Sequence, residues 1–194
     1  MRSARGFTFA ELLFATGLMA VVTAASVPQL LAGLDEWRTR GAVRYLSGRL
    51  YQARMEAAVR NADTAVRFVQ TGSTYEYVTV TDGNRNGVRS LEVQAGVDRV
   101  VHSTERLADK FPGVDFGALP GLPPVDLSGA APGSDPIRLG TSDMVTFTPL
   151  GASTPGSLYI RGRGKVQYVL RVFAETGKIR ILRFYPGSSE WKQL

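Results

Sequence analysis

Residues 7–27, FTFAELLFATGLMAVVTAASV, are apolar or small throughout except for Glu11. As a helix this run extends about 32 Å at about 1.5 Å per residue, which matches a bilayer core of about 30 Å. Such a segment belongs in lipid, against other apolar helices, or in a signal that is removed. Arg2 and Arg5 ahead of it supply the positive flank expected on the cytoplasmic side. Arg38, Arg40, Arg44 and Arg49 follow it against Asp35 and Glu36, so arginine asymmetry alone does not set the orientation. Glu11 is costly in lipid and marks a partner unless it snorkels to the interface. An ordinary secretory signal is a further reading, with Leu12 to Val22 as its apolar region and the small residues Thr23, Ala24, Ala25 and Ser26 as a cleavage site.

After Pro28 the helical pattern continues. Val43, Leu46, Leu50, Ala53 and Ala57 recur at spacings of three and four, with Arg44, Arg49, Arg54 and Glu56 off that stripe, so one apolar face is available to a sheet. Pro28 predicts a kink, and Gly33 and Gly41 loosen the upper half. From Thr64 the period changes to two, giving strands over 64–70, 74–81, 88–94 and 97–103. Residues 111–144 hold six of the ten prolines and six glycines, which predicts a long loop. Strands return over 144–148, 157–161, 165–173 and 178–185. The fold class is α+β: a long N-terminal helix, membrane-spanning and then amphipathic, packed on an antiparallel β domain. The expected organisation is a leader over 1–6, a membrane or filament-core helix over 7–27, its amphipathic continuation over 28–63, and a β-rich domain over 64–194.

With no cysteine and one histidine, His102, the chain has no disulfide framework, no thiol nucleophile and no Cys/His zinc site. His102 sits in the strand-like run VVHST without a serine and carboxylate motif. Gly162-Arg163-Gly164-Lys165 lacks the upstream glycine and the following Ser or Thr of a phosphate-cradling loop and reads as a tight turn. No enzyme activity and no cofactor is expected. Asp82, Asn84 and Asn86 alternate before Gly87 as calcium-loop ligands do, but position twelve would be Val93, with Glu92 one place early. A turn between strands accounts for the same residues through side-chain hydrogen bonds and positive φ.

The segment Gly6-Phe7-Thr8-Phe9-Ala10-Glu11-Leu12-Leu13 resembles the type III signal of type IV pilins and type II secretion pseudopilins. That resemblance implies cutting between Gly6 and Phe7 by the prepilin peptidase, methylation of the new amino terminus, and pairing of Glu11 with the Phe7 amino group of a neighbouring subunit. The run DGNRNG between strands, Phe147-Thr148-Pro149-Leu150-Gly151, Gly156 to Ile160 and Thr176 to Ile181 resemble the GspH/FimT group of minor pseudopilins. Membership implies a single-pass inner-membrane subunit with its β domain in the periplasm. It would assemble with other pseudopilins or pilins in a filament that supports secretion, and would contact cargo. A FimT-like minor pilin that binds DNA during transformation and a plain exported binding protein are the alternatives.

The +6 charge concentrates at the end: residues 161–194 hold eight basic residues against Glu175 and Glu190, an excess equal to that of the whole chain. Alternation places Lys165, Gln167 and Arg171 on one strand face, and Lys178 with Arg180 on one face of the next. In FimT-like members a Gly-Arg-x-Arg segment is linked to DNA contact, and Gly177-Lys178-Ile179-Arg180 resembles it with lysine in the first basic position. The candidate anion or DNA contact is therefore Lys165, Arg171, Lys178 and Arg180, against a solvated hairpin or a contact for an acidic neighbour.

Overall fold

The computed structural model describes residues 6–126, 129–187 and 189–194; the expected flank of Arg2 and Arg5 lies outside them. The chain divides into two units, Met1–Leu34 and Asp35–Leu194. Helix α1, Phe9–Arg60, contributes to both and passes through Pro28 and Gly33 without ending, so neither residue breaks it.

In the first unit every described residue is exposed, and the helix is long and apolar enough to cross a membrane. Hydroxyl groups are returned to the backbone, Thr16 donating to the Leu12 carbonyl at 2.9 Å and Thr23 to that of Met19 at 2.8 Å. An apolar helix can hold these threonines because neither leaves its hydroxyl proton unpaired.

In the second unit, α1 lays Ala42, Val43, Leu46, Leu50, Ala53 and Ala57 into the core, so the stripe read from spacing is the buried face. Gly41 serves packing rather than flexibility: a Cβ there would meet the Phe111 ring at 3.0 Å. Two antiparallel sheets receive the helix. One contains β1 (Thr64–Thr71), β2 (Thr74–Thr81), β3 (Arg99–Arg106) and β6 (Met144–Phe147), in the order β3-β2-β1-β6. The other contains β7 (Gly156–Arg161), β8 (Gln167–Val172), β9 (Ile179–Tyr185) and β10 (Glu190–Gln193), in the order β10-β9-β8-β7. Strands β4 (Asp115–Phe116) and β5 (Ile137–Arg138) both pair with β7. Val66 and Phe68 of the first sheet and Leu158, Ile160, Tyr168, Leu170 and Val172 of the second join the helix residues in one core. The protein is thus α+β and pilin-like.

Three expectations are corrected. The strand expected over 88–94 is instead a short helix α2, Ser90–Gln94. Asp82 and Asp98 accept the backbone N–H groups of Gly83, Asn84, Arg85, Gly87 and Arg89, which removes donors that a ladder would need. β2 pairs instead with β3, Thr81 opposite Arg99. Secondly, the loop over 111–144 is partly ordered against the core. It carries β4 and β5, buries Val114, Phe116, Leu122, Ile137 and Leu139, and follows a helical turn α3, Leu107–Lys110. Thirdly, β10 has no counterpart among the expected strands. Its Trp191 closes over Tyr159 and Phe184 on the sheet face away from α1, where Leu122 and Val169 complete a second cluster.

Candidate functional site

The first candidate site is the start of α1. Glu11 Oε2 accepts the Thr8 backbone N–H at 2.7 Å and the Thr8 hydroxyl at 2.9 Å, while the Glu11 N–H reaches back to the Thr8 hydroxyl oxygen at 3.3 Å. This is a capping box, built because Thr and Glu stand three residues apart at the first helical turn. The one carboxylate of the apolar segment is therefore satisfied locally, and Gly6 and Phe7 precede the helix as exposed, non-helical chain. That geometry leaves the Gly6–Phe7 bond accessible.

The loop over 82–98 is the second. Asp82 Oδ1 accepts N–H bonds from Asn84 at 2.9 Å and Arg85 at 2.8 Å, and Oδ2 accepts that of Gly87 at 2.7 Å. Burial pushes the Asp82 carboxyl up, but these backbone donors outweigh it and hold the group below the usual carboxylate range. The amide groups of Asn84 and Asn86 donate to Glu92 at 3.1 and 2.8 Å. Positive φ falls at Arg85 and Gly87 rather than at either asparagine. The three candidate ligands are thus committed to shaping a wide loop, and among the described residues no cluster of three or more His, Asp or Glu side chains could hold a metal. Titrating the full chain in neutral detergent micelles with calcium is expected to give a flat isotherm. A micromolar isotherm abolished by Asp82→Ala would overturn that assignment.

The third candidate is the basic end, and the structure assembles only part of it. Arg171 and Arg180 lie directly opposite across β8 and β9. With Lys178 they line a hollow of about 530 Å³ that also takes in Phe173, Val172 and Pro155. The Arg180 guanidinium lies 5.0 Å from the Phe173 ring centroid and that of Arg171 5.8 Å. Lys165 is not with them. It stands in the turn before β8, at the far end of that strand from Arg171, so at least four strand residues, about 13 Å, intervene. Gln167 is wholly buried, its amide spanning the Leu119 N–H and the Gly117 carbonyl and so fastening the long loop to the sheet. Phe173 was missed in the sequence, although its place two residues after Arg171 signals a shared face.

Two other groups turn out to be structural. The backbone N–H groups of Arg163 and Gly164 donate to the two Asp35 oxygens at 2.9 and 2.8 Å, so the Gly-Arg-Gly-Lys turn is a clasp on α1. A Cβ at Gly162 would stand 2.4 Å from the Thr39 hydroxyl oxygen. His102 Nε2 lies 2.6 Å from Glu56 Oε1 and 3.1 Å from Gln52 Nε2, tying β3 to α1.

A helix that is apolar and exposed at one end, and at the other carries its buried stripe on antiparallel sheets, defines the pilin-like class. A family model described as Type II transport protein GspH matches residues 42–176. The chain belongs to that family, and at family level is a type II secretion-related pseudopilin. No curated protein and no solved structure matches it. The apolar helix and the family together fit a single-pass inner-membrane protein.

Proposed function

We propose that this chain is a minor pseudopilin whose mechanism is polymerisation rather than catalysis. The observation that carries the reading is Glu11, the only charged residue between Phe7 and Leu34, held at the first turn of an apolar, fully exposed helix. In an isolated apolar anchor the carboxylate caps the first turn but still carries a charge that lipid penalises. A subunit that joins a filament can offset that charge. Cleavage by the prepilin peptidase between Gly6 and Phe7 creates a charged amino group, and in the filament that group of one subunit offsets the Glu11 charge of the next. Residues 1–6 are then the leader, residues 7–27 the filament-core helix, and the β-rich domain lies in the periplasm, where it meets other pseudopilins and secreted cargo.

Mass spectrometry of the mature protein tests the processing step: the amino terminus is expected at Phe7, carrying a methyl group. A terminus near Ala25 or Ser26 would establish an ordinary signal peptide and remove the filament reading. Glu11→Val keeps the segment apolar, so it is expected to be cleaved and inserted normally yet to cross-link poorly into filaments. Normal incorporation of that variant would sink the charge-pairing argument.

A further inference from the structure

We propose that the hollow around Phe173 is a docking site for an acidic segment of a partner protein, which places a carboxylate on Arg180 and Lys178 and an apolar side chain against Phe173. Of the three cations that line the hollow, Arg171 already has an anion, Asp126. Among the described residues no carboxylate pairs with Lys178 or Arg180, and both are exposed. Two uncompensated cations side by side on one rim attract an anion.

The geometry selects the kind of anion. The cation–π contact with Phe173 at 5.0 Å holds the Arg180 guanidinium over the ring, and a guanidinium fork suits two-pronged capture of a planar carboxylate. The hairpin beneath is also held in place. The Phe173 N–H donates to the Lys178 carbonyl at 3.0 Å and the Gly177 N–H to that of Phe173 at 3.0 Å. Gly177 sits so close to the Gly151 carbonyl that a Cβ would stand 2.6 Å from its oxygen. A site prepared in this way pays little ordering entropy on binding. Phe173, Val172, Pro155 and Ala174 make much of the lining apolar, which suits a peptide bearing acidic and apolar side chains.

Duplex DNA fits less well. It presents one charge per about 1.7 Å of axis and is held by a track of many cations. Here Arg171 is already engaged by Asp126 at 2.5 Å, which leaves only Lys178 and Arg180 as unpaired cations, in a concave pocket rather than along a track. Binding at this pocket needs no filament, so a Glu11 variant that fails to assemble would keep it.

The test uses the full chain in neutral detergent micelles and fluorescence anisotropy, with a labelled, amidated peptide of alternating glutamate and leucine as the probe. The same peptide with glutamine in place of glutamate, and a short DNA duplex, are the comparison ligands. Binding of the glutamate peptide is expected, weakened about tenfold by Lys178→Ala/Arg180→Ala, which removes the charge-assisted hydrogen bonds. Arg180→Lys is expected to fall between parent and double variant, because it keeps the charge and gives up the fork. Near-ultraviolet circular dichroism checks that these surface variants stay folded. The proposal is overturned if the parent does not bind the glutamate peptide, if the glutamine peptide or the double variant binds equally well, or if DNA binds more tightly with the same dependence on Lys178 and Arg180.

Discussion

Glu105→Ala is expected to lower the stability of the second unit by about 4 kcal/mol, the scale for removing one partner of a buried ion pair. Glu105 Oε2 accepts the hydroxyl of Tyr45 at 2.7 Å and that of Tyr77 at 3.0 Å, while Oε1 lies 3.2 Å from the Arg49 guanidinium. Its side chain is only 15% exposed, these three partners come from α1 and β2, and Lys110 of α3 lies 4.0 Å from Oε2. Removing it would strand a half-buried guanidinium and two hydroxyls at the helix–sheet seam. Chemical denaturation of the full chain in detergent, followed by near-ultraviolet circular dichroism, measures the loss. A drop below about 1 kcal/mol, the scale of an exposed pair, would show that water already serves these groups. The pH dependence follows with a definite sign. Burial pushes the Glu105 carboxyl up, but the two tyrosine hydroxyls and Arg49 outweigh it and hold the folded-state pKa below the ordinary glutamate range. The contribution is therefore complete above about pH 4.3, the unfolded value. It is lost as the pH falls through the folded value, and the variant should lack that part of the acid transition.

What was legible in the sequence was whatever depends on local periodicity. The stripe from Val43 to Ala57 repeats at helical spacing, so its burial was readable, and β2 occupies the expected Thr74–Thr81 because a clean alternation is bounded by turn residues on both sides. What was illegible depends on distant partners. Residues 88–94 carry a period of two, but Asp98, nine residues beyond Arg89, takes the N–H that a strand would use. Loop residues 111–144 are rich in proline and glycine, yet buried Gln167 gives part of that irregular backbone somewhere to bond. The same limit divided the basic cluster. Alternation correctly put Arg171, Arg180 and Lys178 together, but extended the strand to Lys165, where the clasp by Asp35 turns the chain instead. Glu105 and Asp35, two of the carboxylates that tie α1 to the β domain, carry no local pattern at all.

A pair of glycine substitutions should move stability in opposite directions, because one glycine is required by close approach and the other only occupies a helix. At Gly83 a Cβ would stand 2.0 Å from the Val97 carbonyl oxygen, a backbone atom that no side-chain rotation can clear. The surrounding loop has little slack. Asp98 is 1% exposed and accepts the Gly83 and Arg89 N–H groups at 3.1 and 2.9 Å, and the Val97 and Asp98 N–H groups donate to the Glu92 carbonyl. Gly83→Ala must therefore open the closure between residues 82 and 98 or break the Asp98 bonds, and the expected cost is about 3 kcal/mol, the upper end for overpacking. Gly48 lies within α1 with nothing inside 4 Å of the position a Cβ would take. Gly48→Ala there restricts the unfolded chain and favours the helix, so a gain of about 1 kcal/mol is expected. Denaturation midpoints of the two variants against the parent decide the matter. Hydrogen exchange should show the Gly83→Ala loss concentrated at the amides of Gly83, Arg89 and Val97, which the intact loop protects. Equal behaviour of the two variants would mean that the loop relaxes freely, and that Asp82 and Asp98 do not hold it closed.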